Sequence, residues 1–170
     1  KSSIIDPDSE DDSWLNRAIL SFLIVCAHFK LSDFSKVCNF IIHPSIKTKD
    51  HEIVAEKIGE TLNDILQGIT DNDLEVKNHM LEEWQNLYST KPEIKKFDEI
   101  YDCIKDMLFH SAIKIYTMNS KSDSDIDVES GFNIVIGGSI LGRGVTFPNL
   151  QTVYYSRTAK TPQADTYWQH

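Results

Sequence analysis

The segment IVIGGSILGRGVTFPNLQTVYYSR, residues 134–157, concentrates the chemistry this chain offers: it holds four of the seven glycines and two of the three arginines. Glycines placed directly after an apolar run let the backbone approach a ligand and present NH groups to it. At the carboxyl edge of a parallel sheet such a turn binds phosphates. The same glycines suit a plain strand-to-helix turn needing positive φ, because the spacing is neither G-x-G-x-x-G nor a Walker A sequence. Of the 17 basic residues only Arg17, Arg143 and Arg157 are arginine, so the placement of the last two carries weight.

A second group lies earlier. Ser45, Lys47 and Lys49 precede or open an expected helix, where unpaired NH groups and the helix dipole favour a phosphate; a solvated cap explains the same residues. His43 and His51 flank that point, and a hydrogen-bonding role or solvent contact suits them better than metal ligation, since neither an HExxH pattern nor a cysteine partner exists. Cys26, Cys38 and Cys103 form no CxxC pair and read as core or free thiols, so no metal site is expected. Glu75-Val76-Lys77, with Pro7-Asp8 upstream, has the residue content of a magnesium-dependent nuclease, but such centres sit on adjoining strands and Glu75 and Lys77 fall in a helical pattern. Tyr154, Tyr155, Tyr167 and Trp168 could stack on bases, although Tyr154 or Tyr155 must pack in the core if their strand is buried. Trp84 and Phe97 fit apolar helical stripes. The acidic run from Asp123 to Glu129 reads as a solvated loop that repels DNA.

The elements that would position these residues alternate. Ser13–Lys30 is apolar too densely for a surface helix and reads as a largely buried one. Val37–His43 is a short β-branched and aromatic run ended by Pro44-Ser45, the pattern of a buried strand. Thr48 or Asp50 can cap a helix whose apolar positions keep helical spacing until Gly68 stops it. Two further amphipathic helices are predicted, from Asp73 to about Tyr88 and from Pro92 to about His110. Strands follow at Ala112–Met118, Phe132–Gly138 and Gln151–Arg157, and Thr161-Pro162 opens a last helix cut off after about two turns. The expected fold is therefore α/β, a mainly parallel sheet flanked by helices with a helical insertion at about 70–111, in a single domain over 1–170 that is a fragment of a longer protein.

Composition bounds the rest. With 170 residues, 41% hydrophobic and 25% charged, the chain can bury roughly two thirds of its unfolded surface, enough for a core without disulfides. No apolar run approaches the roughly 20 residues that cross a bilayer and the start lacks a secretion signal, so no membrane partner and a cytoplasmic location are expected. The net charge of -9 argues against a freestanding nucleic-acid binder but leaves room for a local basic strip.

The residues Gly137, Gly138, Leu141, Arg143, Gly144, Thr146, Leu150, Arg157, Asp165, Thr166 and Gln169 together resemble the Z-one domain family of proposed endonucleases, found in large bacterial proteins of restriction and phage-defence type. The earlier FIIHPS with His51, and Asn119-Ser120, are similar to the family's pattern as well. That family in turn resembles the second RecA-like half of superfamily-two helicases. FIIHPS stands for motif four, GGSILGRGVTF for motif five and YWQH for the opening of motif six. The resemblance implies a nucleic-acid-dependent ATPase in which Gly137, Gly138 and Ser139, with Ser45 and Lys47, meet a nucleic-acid backbone, DNA being expected, while Arg143, Gly144, Thr146 and Gln169 serve the nucleotide. Thr146 stands where many helicases carry an aspartate near the ribose, and no motif-six arginine is present. ATP and magnesium would be held only with a first motor half that this sequence lacks, so no catalytic residue is assigned here and the chain alone is expected to be silent. A non-catalytic interaction module and an endonuclease are the alternatives.

Overall fold

The computed structural model describes residues 13–44, 48–118, 126–138 and 146–155. They form four helices, α1 (Ser13–Ser32), α2 (Thr48–Thr70), α3 (Leu74–Thr90) and α4 (Phe97–Phe109), and four strands, β1 (Val37–His43), β2 (Ile113–Met118), β3 (Gly131–Gly137) and β4 (Leu150–Tyr155). The strands make one all-parallel sheet in the order β2-β3-β1-β4. The two most continuously apolar runs became the two central strands, because a parallel strand flanked on both edges is buried on both faces.

Register sorts side chains between those faces. Cys38, Phe40 and Ile42 pair with Phe132, Ile134 and Ile136 and point into the main core. Against them lie the buried residues of α1, including Ile19, Phe22 and Leu23, with the Phe22 and Phe40 ring centroids 5.4 Å apart. α1 rests on β4, and α2 on β2 and β3; α3 and α4 pack on α1 and α2 as an outer layer, so the stretch expected as an insertion adds helices without entering the sheet. The opposite face carries a smaller cluster of Ile41, Met118 and Val135, covered by Ile126, Val128 and Phe147 from the connections flanking β3. Thus the chain crosses from β1 to β2 over the helical face and returns from β2 to β3 over the other, which gives both crossovers the same hand.

Several boundaries differ from expectation for identifiable reasons. α2 runs past Gly68 to Thr70 and is ended by Asn72, whose φ of 56° gives the left-handed turn that closes many helices. Gly68 instead allows close approach, since a Cβ there would lie 2.5 Å from Val76 Cγ2. Thr48 and Asp50 both fall inside the first turn rather than before it. Pro92 belongs to a turn, and α4 begins only at Phe97. That turn is held from outside, by Trp84 Nε1 donating to the Lys95 carbonyl at 2.9 Å and Lys95 N donating to His28 Nδ1 at 3.3 Å. α1 is, by length and composition, apolar enough to span a membrane at a mean hydropathy of 1.3, contrary to expectation. Eight of its residues are nonetheless buried within the core.

Gly68→Ala sets two effects against each other. Helix propensity favours alanine by about 1 kcal/mol, whereas overpacking against the stiff, branched Val76 costs about 1–3 kcal/mol. A net loss of roughly 1 kcal/mol in urea unfolding is expected, relieved when Val76→Ala is added; a gain from Gly68→Ala alone would show that α3 yields freely.

Candidate functional site

The carboxyl edge of the sheet is formed by His43 at the end of β1 and Pro44 after it, Gly137 at the end of β3 and Gly138 after it, and the end of β4. β1 and β3 are neighbours, yet the chain leaves β1 for the helical face and, after β3, reaches Phe147 on the opposite face. Adjacent parallel strands whose connections depart to opposite faces open a crevice beyond their carboxyl ends, the point where open α/β sheets bind ligands.

The glycines stand at that edge, but Gly137 and Gly138 are both buried, so the openly presented NH groups expected of them are not found. Their burial follows from position: Gly137 ends a central strand and pairs with Met118 of β2. Of the residues assigned to the nucleotide, Thr146 is exposed and precedes Phe147, whose ring anchors the connection to the second face. Arg143, Gly144 and Gln169, with Ser139, Ser45 and Lys47, lie outside the described residues, as do Pro7-Asp8, Arg157, Tyr167 and Trp168. The first turn of α2 contains Asp50, a carboxylate that already complements the helix dipole and competes with a phosphate there. His43 and His51 are both buried.

The remaining candidates serve structure. Glu75 and Lys77 are exposed along the start of α3, with Lys77 Nζ over the Tyr101 ring at 5.4 Å and the Glu75 amide donating to the capping Asp73 carboxylate at 2.7 Å. Among the described residues no group of three or more histidine, cysteine or acidic side chains could hold a metal ion. Trp84 stacks on Tyr88 at 4.9 Å and meets Phe97 edge-on at 6.1 Å. Tyr154 is half-buried against the main core. The three cysteines are buried thiols; burial first, then the neighbouring Cys38, pushes the Cys26 thiol well above its usual range, which makes it a poor nucleophile.

Two polar networks escaped the sequence reading. Glu83 of α3 is buried and accepts from Arg17 Nε and from Ser21 Oγ at 3.0 Å, fastening α3 to α1. On the second face Asn39 and Asn133 are paired across β1 and β3, both fully buried. Asn39 Nδ2 donates to the carbonyls of Val128 at 3.0 Å and Pro148 at 2.6 Å, while Asn133 Nδ2 donates to Asn39 Oδ1 at 3.0 Å and to the Ser130 carbonyl at 2.9 Å. A signal for them existed: each strand run has one asparagine at the same place, CNFIIH and FNIVIG. The acidic connection is likewise more than solvated, because Ile126 and Val128 face the sheet while Asp127 and Glu129 face outward. Hydrogen bonds from Ser130 Oγ, and then from the Glu129 and Ser130 amides, hold the Asp127 carboxyl below its usual range and close that turn.

These features define an open, parallel α/β domain whose described helices pack on one face of the sheet and whose two central strands lead into connections on opposite faces. The chain belongs to the Z1 domain family, whose family model matches residues 14–170. No curated protein and no solved structure matches it.

Proposed function

We propose that this domain is the second motor half of a nucleic-acid-dependent ATPase, helicase-like in kind, within a cytoplasmic restriction or phage-defence protein. The observation that carries the reading is the divergence of β1 and β3 at a carboxyl edge where a Gly-Arg connection begins. A backbone phosphate would meet the start of the connection after the buried glycines, at Ser139, with Arg143, Gly144, Thr146 and Gln169 toward ATP and magnesium held on the other half. The described acids of the second connection, Asp127 and Glu129, lie close before Gly131 at the amino edge, so their repulsion leaves the carboxyl edge accessible to a polyanion.

Binding of a fluorescein-labelled single-stranded oligonucleotide, followed by anisotropy, tests this. Affinity should fall with salt along a log-log slope of about -0.7 for each phosphate neutralised, and Lys47→Ala should flatten it. Phosphate release from ATP by this chain alone should not exceed that of buffer, because phosphoryl transfer needs a phosphate cradle and the sequence given contains no Walker A pattern. Measurable turnover would overturn the assignment. A second reading, an interaction module that keeps the shape of a motor without its activity, draws support from the burial of Gly137 and Gly138; salt-independent or undetectable oligonucleotide binding would favour it.

A further inference from the structure

The Gly-Arg connection leaves β3 at the carboxyl edge and must return to the other end of the sheet before β4 can start parallel to β1. The return is fastened at one place. Asn39 N donates to the Asn149 carbonyl at 3.1 Å, Asn39 Nδ2 to the Pro148 carbonyl at 2.6 Å, and Asn149 Nδ2 to Ser35 Oγ at 2.6 Å. Asn149 itself adopts a φ of 47°, a left-handed turn that asparagine tolerates better than most residues. The second connection is fastened by the same side chains, through the Val128 and Ser130 carbonyls, and Gly131 N donates to the Lys36 carbonyl at 3.0 Å.

A buried amide that joins three separate strands of backbone is costly to leave unsatisfied, so each carbonyl it serves is held in place by the others. We propose that Asn39 is a positioning residue: it fixes the returning end of the Gly-Arg connection at Pro148 and, directly through Val128 and indirectly through Asn133, locks that end to the acidic crossover. The positioning part rests on the function proposed above; the lock itself does not.

Hydrogen exchange of the full chain, read by mass spectrometry, tests the lock without any ligand. Asn39→Leu keeps the shape but removes both donors, and exchange should rise about tenfold or more in peptides spanning 126–131 and 146–151, with little change in 132–137. Acceleration in one connection alone, or in neither, overturns the proposal. Should that variant fail to fold, Asn39→Asp supplies a pH profile. Burial and the two facing carbonyls raise its folded pKa above the unfolded value of about 3.9. Its protonated form can donate one bond, so protection relative to wild type should be largest below the unfolded pKa and disappear as pH rises through the folded one. Protection independent of pH would mean that Asn39 only fills space.

The second arm is oligonucleotide affinity at pH 7. A loss of about tenfold or more in either variant supports positioning, and wild-type affinity despite lost protection overturns it. If the wild type itself does not bind, the motor reading and the positioning role both fall, and the lock is judged on exchange alone.

Discussion

Arg143→Ala, made in a protein that joins this domain to a first motor half, is expected to reduce nucleic-acid-stimulated ATP hydrolysis by at least about 100-fold. The expectation follows from the scarcity of arginine in a lysine-biased chain and from the connection on which Arg143 lies, between the carboxyl end of β3 and the β4 start. A planar guanidinium can bind phosphate through two parallel hydrogen bonds, which an ammonium cannot, so Arg143→Lys should recover only a small part of the rate. Hydrolysis measured without nucleic acid separates the contributions: a fall in stimulated turnover alone assigns Arg143 to sensing the strand, and a fall in both assigns it to the nucleotide. Full stimulation in the alanine variant would refute the motor assignment, and the interaction-module reading would then stand.

Phe40→Ala is the stability change expected to be largest. Phe40 has no exposed surface, lies on a strand paired on both sides, and packs its ring against Phe22 of α1. Removing a ring from such a place loses its transfer free energy and leaves a cavity that two flanking strands prevent from collapsing. The cost should be about 3–5 kcal/mol, a large share of the roughly 5–15 kcal/mol that holds a domain together, and the melting temperature should drop by roughly 10 °C. Val153→Ala is the contrast. Val153 lies on β4, is 42% exposed, and should change stability by no more than about 0.5 kcal/mol. Equal losses at the two positions would mean that β4 is as deeply packed as β1, against the arrangement of this sheet.

How far the chain could be read depended on the range of the interaction concerned. VCNFIIH and FNIVIGG announced buried strands because continuous apolar runs bounded by turn residues have few other uses, and both formed at or within one residue of the expected limits. The helix after Ser13 was equally plain. Gly68 is ambiguous in the sequence because glycine ends helices in one setting and admits a neighbouring helix in another, and only the position of Val76 distinguishes them. Pro92 lies outside the helix for a related cause: the turn after it is stabilised by Trp84 and His28 from other helices, which no local pattern encodes.

The candidate site shows the same division. The glycines could be assigned to the end of a strand from their neighbours, but not their burial, which depends on β2 lying alongside β3. Nor could the pairing of Asn39 with Asn133 be known from two separate asparagines, although their matching places hinted at it. Local residue patterns thus sufficed for the α/β class, the central strands and the place of the Gly-Arg connection in the chain, since periodicity and turn chemistry act between near neighbours. Strand order, the divergence of β1 from β3 and the asparagine lock arose only in the folded sheet, because register between distant segments is chosen by the side chains of both partners at once.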